Sequence, residues 1–338
     1  MSVPVGNDRL QESLAPRMEL VEERLRDAVA QSDRLAHTTS RHLVDAGGKR
    51  LRPLLTLLTA QLGDGTRPEV IDAGVVVELT HLATLYHDDV MDSAPTRRGA
   101  PSAHEVWGNS VAILTGDLLF ARASVVVAGL GPEAVRLQAT TFERLCLGQL
   151  HETVGPAEDD DPIDHYIQVL ADKTGSLVAM SARFGAMLAG CKPSVVKQVT
   201  EYGELAGVAF QLADDVLDIR SDTEVSGKTP GTDLREGVAT MPVLLLRRRV
   251  AAGPVDGVTP EQHAEDLALL ADIDGDLASD EALASVVARL RMHPVVDETA
   301  ALAHEWVARA RDAISALPEG EVKEALHSFA DALVARAA

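Results

Sequence analysis

Aromatic residues make up only 3% of this 338-residue chain. A β-sandwich usually needs more aromatic and β-branched side chains, so packed helices filled with aliphatic residues and alanine are expected. The apolar share, 46%, is enough for a substantial core. Length alone permits one large domain or two smaller ones. Cysteine is nearly missing, with Cys146 and Cys191 the two present. Two thiols make no disulfide framework, which points to a reducing, cytoplasmic setting. Basic residues are outnumbered, 31 Lys and Arg against 52 Asp and Glu, for a formal charge of −21. Such a chain is a poor general binder of nucleic acid or anionic membranes, so an anionic substrate would need local basic clusters or metal ions. Residues 1–20 lack a charged start followed by an apolar stretch, so no signal peptide is read there. No run approaches 18 apolar residues, so no transmembrane segment is expected.

What the chain does have is helical spacing nearly throughout. Residues 17–31 are amphipathic, and 70–92 are long and more apolar, the pattern of a buried helix. The valines at 75–77 are compatible with a strand, but 23 residues without proline favour a helix. Segments 109–130, 132–154, 164–190 and 194–219 continue the pattern, with Gly/Pro/Asp clusters between them. From about residue 260 the helices become shorter and more acidic. Asp272, Asp274 and Asp276 alternate like calcium ligands, but Gly275 sits between them instead of after them, so this stretch reads as a solvated loop.

One feature recurs. "DDVMD" at 88–92 returns as "DDVLD" at 214–218. On a helix, i and i+4 share a face, so Asp88 pairs with Asp92 and Asp214 with Asp218. Like charges at this spacing destabilise a helix, and buried carboxylates without compensation cost more. A solvated acidic helix end would explain one such motif but fits two poorly, each on an apolar helix. Hard divalent cations with oxygen ligands are the natural partner, and Mg²⁺ typically bridges carboxylates to substrate phosphates. Basic residues stand beside the motifs: Lys49, Arg50 and Arg52 in "GGKRLRP", Arg97 and Arg98 after the first motif, Lys173 in "DKTG", and Lys228 after the second. Each alone is ordinary surface charge. Together, in so acidic a chain, they imply a second anion site that uses side chains directly.

These motifs, with "HDDVMD", "RRG", "GD" at 116–117, "FQLADDVLD" and "GKTPGTD" in order, resemble those of the trans-isoprenyl diphosphate synthases, the polyprenyl synthetase family. The likeness runs from about residue 40 to 250, with further helices at 260–338. It is strongest to bacterial long-chain members that make quinone side chains. The resemblance implies a single domain over 1–338, an all-α orthogonal helical bundle of the isoprenoid synthase type around a central cavity, and a homodimer. It implies head-to-tail (1'-4) condensation of isopentenyl diphosphate with geranyl, farnesyl or geranylgeranyl diphosphate, with three Mg²⁺ ions per site. By position, Asp88, Asp92 and the neighbouring Asp89 match the first metal site, and Asp214 with Asp218 the second. Arg97, Lys173, Thr174, Gln211 and Lys228 match holders of the allylic diphosphate. Lys49, Arg52, His81 and Arg98 match those of isopentenyl diphosphate. His81, seven residues before Asp88, also shares its helical face. His87 reads as a supporting residue.

One departure is Val238, where the family often has lysine. Either a diphosphate contact is missing, or Arg235 or Lys228 replaces it. In such enzymes the product tail grows beside the first acidic helix, and bulky residues four or five positions before the first Asp stop it early. Here those positions are Ala83 and Thr84. The stripe Thr84, His81, Val77, Gly74, Val70 carries no aromatic residue, while Tyr86 lies off it. The 18 residues from Asp88 to Val70 rise about 27 Å, room for about five isoprene units, so a product of roughly C30 to C50 is expected unless Phe120 or Phe142 supplies a floor. The competing readings are a short-chain synthase, a class I terpene cyclase and a non-catalytic partner subunit. A cyclase typically replaces the second acidic motif, and a partner subunit tends to lose both. Both are intact here.

Overall fold

The computed structural model describes residues 8–220, 230–254 and 258–335. In chain order its elements are α1 (Asp8–Ala28), α2 (Arg34–Asp45), α3 (Leu51–Ala60), α4 (Pro68–Met91), a hairpin of β1 (Thr96–Arg97) and β2 (Ala100–Pro101), α5 (Ala103–Trp107), α6 (Asn109–Ala128), α7 (Pro132–Val154), α8 (Pro162–Leu170), a π turn (Ala171–Gly175), α9 (Ser176–Leu188), α10 (Pro193–Arg220), α11 (Thr232–Arg235), α12 (Met241–Ala252), α13 (Pro260–Ile273), α14 (Asp280–Arg291), α15 (Pro294–Ala313) and α16 (Glu321–Val334). The fold is all-α, as the aliphatic composition predicts.

Local signals start the helices. Proline opens α4, α7 and α8, where its missing N–H costs nothing. Asp161 accepts the Ile163 and Asp164 N–H groups at the start of α8, and Thr259 with Gln262 forms a capping box on α13. The acidic stretch near 274 is the expected solvated loop: Asp272 pairs with Arg289, Asp274 with Arg247, and Asp276 caps the Ala278 N–H.

α10 packs on α9 and α15, and α4 on α6, α3 and α1. α9 touches both α4 and α10 and so spans the space between them. The main apolar core runs from Leu10 in α1 to Val334 in α16. A second buried cluster joins Val76 and Val77 of α4, Val127 of α6, Leu145 of α7 and Phe184 of α9.

One sequence expectation needs correction. Residues 164–190 are not one helix but α8 and α9 joined by the π turn. By length and composition alone α6 is long and apolar enough to cross a membrane, with 20 residues at mean hydropathy 1.8, although it holds no unbroken run of 18 apolar residues. Asp117 and Arg122 interrupt the apolar run. Only 33% of that window is buried, and Ile113, Leu114 and Val125 are exposed.

Candidate active site

Both acidic motifs lie at helix C-termini, where aligned backbone dipoles already concentrate negative charge. Asp88 is in the last turn of α4, and Asp92 is its C-cap, with the Asp92 N–H donating to the Asp88 carbonyl at 2.8 Å. Burial pushes the Asp88 carboxyl up to about 6, against the pull of Lys173 and Arg97. Asp92, at the exposed rim, is raised by the same cause. In α10, Asp214 and Asp218 are half-buried on one face. Asp215 between them is 1% exposed and accepts from the Tyr166 hydroxyl at 2.9 Å and the Met241 N–H at 3.3 Å. Burial holds the Asp215 carboxyl well above the ordinary range, so it acts as a strut to α8 and α12.

Among the described residues, no three Asp, Glu, His or Cys side chains form a ready-made metal cage. Mg²⁺ does not need one, because it keeps waters and shares one or two carboxylates with substrate phosphates. The donor set suits such a hard cation. All of its donors are carboxylate oxygens, gathered near helix C-termini where the backbone dipole is negative.

The hairpin stands beside the first motif. Its loop residues Arg98 (φ 55°) and Gly99 (φ 78°) form the left-handed pair of a type I′ turn, with Arg97 opposite Ala100. Arg97 Nε donates to Asp89 Oδ1 at 2.6 Å, and the other Asp89 oxygen has no hydrogen-bond partner. Arg98 donates to the carbonyls of Leu43 and Gly47 and lies 3.8 Å from Glu78. Arg50, also left-handed at φ 50°, donates to Glu22 at 2.5 Å and Glu78 at 2.7 Å. Glu78 is 2% exposed, so one buried carboxylate anchors the loop that presents Lys49 and Arg52. Lys49 is exposed and Arg52 half-buried, with Glu78 and Asp214 in its field. Burial, reinforced by Arg52, Arg98, Arg97 and Arg50, holds the His81 imidazole well below its ordinary value. The ring is therefore neutral and can both donate and accept a hydrogen bond. His87 faces Asp117 at 3.4 Å and the Ile113 carbonyl at 3.2 Å. A Cβ at Gly116 would lie 2.4 Å from His87 Nε2, which explains the glycine in "GD".

Lys173 and Thr174 sit in the π turn, a distortion that often marks functional positions. Lys173 Nζ donates to Glu152 of α7, and Thr174 Oγ1 donates to Gln211 Oε1 at 3.2 Å. Asp88, Asp92, Arg97 and Lys173 thus share one electrostatic neighbourhood, joined by Glu152. Arg52, His81 and Arg98 form a second. Lys228 lies outside the described residues. Arg235 does not turn inward to replace the missing lysine: it is exposed and pairs with Asp280 at 2.5 Å. Val238 lines a separate concavity of about 560 Å³. Sequence reading missed Glu152, because one acidic residue near the end of an amphipathic helix gives no periodic signal. It also missed Arg144, an unremarked arginine on the same helix.

The stripe below the first motif does not stay on one face. A Cβ at Gly74 would meet Val21 of α1 at 3.1 Å, whereas Val77, three residues on and about 60° round the helix, belongs to the second apolar cluster. That cluster also holds Phe184, fully buried, and Met180, both of α9. Phe120 and Phe142 stack at 3.8 Å, joining α6 to α7.

The bundle is all-α and brings acidic helix ends close to clustered arginines and lysines. The polyprenyl synthetase family model matches residues 33–253. The chain belongs to the polyprenyl synthetase family. It is 42% identical over 317 residues to a nonaprenyl diphosphate synthase of Mycobacterium tuberculosis, covering 94% of this chain and 91% of that one. A polyprenyl synthase of Caulobacter crescentus CB15, solved with calcium and isoprenyl diphosphate, superposes with a TM-score of 0.87 at 31% identity, over 100% of this chain and 99% of that one. A geranylgeranyl pyrophosphate synthase of Corynebacterium glutamicum, solved with the same ligands, gives 0.83 at 40% identity, over 98% of each chain.

Proposed function

We propose that this single-domain chain is a prenyltransferase. It condenses isopentenyl diphosphate with an allylic diphosphate, head to tail (1'-4), to give an all-trans polyprenyl diphosphate of roughly C30 to C50, the length set by the helix rise beside Asp88. The observation that carries this reading is the meeting of Asp88, Asp92, Arg97, Lys173 and Glu152 in one neighbourhood, with the Arg52–His81–Arg98 group beside it. Asp88 and Asp92, with Asp214 and Asp218 of the second motif, would hold Mg²⁺, three ions per site when substrate is bound. Asp89 steadies Arg97. When bound, the metal offsets charge on the departing diphosphate.

The chain's own residues do the rest. Arg97, Lys173, Thr174 and Gln211 hold the allylic diphosphate, and Lys228, outside the described residues, is assigned to it as well. Lys49, Arg52, His81 and Arg98 hold isopentenyl diphosphate with its double bond toward the allylic carbon. The neutral His81 adds a hydrogen bond without adding charge. After carbon–carbon bonding a proton is lost to the released diphosphate, so no protein base is assigned. The apolar floor excludes water from the carbocation. A quinone side chain is the use expected for such a product.

The exposed Ile113, Leu114 and Val125 of α6, with Leu147, Leu150 and Val154 of α7, support a homodimer that covers this face. A second reading, a C15–C20 synthase, is favoured by the apolar cluster around Val77 and the Phe120–Phe142 stack. The test is the purified chain alone with Mg²⁺, farnesyl diphosphate and isopentenyl diphosphate. Elongation supports the synthase. A cyclic hydrocarbon from the allylic substrate alone would make it a cyclase, and an inert chain a partner subunit.

A further inference from the structure

Arg144 lies on α7 outside the motifs, yet its guanidinium is committed on three sides. Nε donates to Asp172 Oδ1 at 2.7 Å, inside the π turn. Nη1 and Nη2 donate to the two carboxylate oxygens of Glu204 on α10, each at 3.0 Å. Nη2 also reaches the Ala171 carbonyl at 3.5 Å. Asp172 is completed by Gln168 Nε2 at 2.8 Å, and its carbonyl accepts the Ser176 hydroxyl at 2.6 Å. One planar fork therefore ties α7, the π turn and α10 together. A guanidinium with two carboxylates fixes direction as well as distance.

The packing around this clamp leaves little slack. A Cβ at Gly148, four residues after Arg144, would come within 2.9 Å of Asp172 Cβ and 3.0 Å of the Lys173 nitrogen. On the other side, a Cβ at Gly207 would stand 2.6 Å from Gly175 Cα. The π turn is thus gripped between two helices at glycine contacts. Within the turn, Lys173 and Thr174 follow directly after Asp172. Glu204 also lies seven residues before Gln211, so both partners of the Thr174–Gln211 bond hang from elements that Arg144 holds. A π turn inserts an extra residue and re-aims the side chains that follow, and a regular α-helix would point them elsewhere.

We propose that Arg144 is a positioning residue for diphosphate binding: through Asp172 and Glu204 it holds the π turn in the shape that aims Lys173 and Thr174 at the allylic diphosphate. This rests on the reading above that these two residues hold that substrate. A clamp that merely stabilised three packed helices would affect stability and both substrates alike. A positioning clamp acts on one substrate, because the isopentenyl group of Arg52, His81 and Arg98 is built on other elements.

The experiment compares wild type with Arg144→Met, Arg144→Lys and Asp172→Asn. KM for each diphosphate and kcat are measured with Mg²⁺, and binding of a non-hydrolysable farnesyl thiodiphosphate is measured by calorimetry. Arg144→Met should raise the allylic KM and the analogue Kd by about tenfold or more, and change the isopentenyl diphosphate KM by less than about twofold. Arg144→Lys, which keeps charge but loses the fork, should recover part of the loss. Asp172→Asn keeps the volume and should show the same one-sided effect even if Arg144→Met fails to fold. Equal rises in both KM values, or a lower Tm with unchanged allylic binding, would overturn the proposal. An inactive wild type that also ignores the analogue would instead overturn the assigned function.

Discussion

Arg97 Nε donates to Asp89 Oδ1 at 2.6 Å, and Asp89 is fully buried. The middle aspartate of the first motif is thereby spent on the hairpin. Asp88 and Asp92 are left as the pair that faces Lys173. The same division holds in the second motif, where Asp215 is tied to Tyr166. In each motif one aspartate is thus held within the fold, Asp89 by Arg97 and Asp215 by Tyr166.

Asp88→Ala and Asp214→Ala should each lower turnover by at least about a thousandfold while far-UV circular dichroism stays unchanged. Chelation by EDTA should do the same to the wild type and be reversed by Mg²⁺. Near-normal rates in a folded Asp88→Ala protein would remove the metal assignment.

Acid should weaken metal binding through Asp88, whose carboxyl is pushed up to about 6 by burial. Below that pH the group is protonated and cannot ligate. The apparent Mg²⁺ affinity should therefore fall by up to about tenfold per pH unit beneath pH 6. Stability of the metal-free protein should run the other way. The folded state binds more protons than the unfolded chain between the ordinary aspartate value and about 6, so Asp88 stabilises in acid and that contribution is lost as pH rises through this window. Thermal melts at pH 5 and pH 7, with and without Mg²⁺, check both signs. The metal should raise Tm more at pH 7.

Arg52→Ala should mainly raise KM for isopentenyl diphosphate, and Lys173→Ala mainly that for the allylic partner, each by about tenfold or more. The two residues sit in separate clusters, one in the first turn of α3 and one in the π turn. Titrations in which both variants lose affinity for the same substrate would contradict the division.

Product length is read by chromatography of dephosphorylated products. Wild type should give chains of roughly C30 to C50, and Thr84→Phe should shorten them by blocking the tail within about one helical turn of Asp88. Phe142→Ala should lengthen the distribution if the Phe120–Phe142 stack forms the floor. A wild type that stops at C15 or C20 would establish the short-chain reading instead.

Much of this was legible in the sequence because periodicity and i, i+4 pairing are local. α4, α7 and α10 fall nearly where the apolar spacing puts them, and the aspartate pairs land on shared faces. Three things were not legible. The π turn meets Arg144, which in turn grips Glu204, both distant in sequence, and nothing in "ADKTG" announces it. The role of Glu78 as the anchor for Arg50 and Arg98 is a tertiary fact, since a glutamate inside an apolar helix looks like an error until its partners are seen. The apolar cluster around Val77 draws its other members from α6, α7 and α9, so a ruler laid along α4 alone cannot find them.

Arg50, Ser93 and Arg98 are the non-glycine residues with positive φ among the described residues, and all three flank the acidic end of α4 or the loop beside it. A left-handed backbone at such residues costs about 1 kcal/mol each. For anyone raising the heat tolerance of this enzyme, the three positions are not equal. Arg50 and Arg98 are tied through their guanidinium groups to Glu78 and the Gly47 carbonyl, so glycine there would relax the backbone and release the loop. Ser93 is exposed, with no side-chain hydrogen bond among the described residues. Thermal margin is therefore open at Ser93, while at the two arginines it is tied to the shape of the loop before α3 and of the hairpin that meets it.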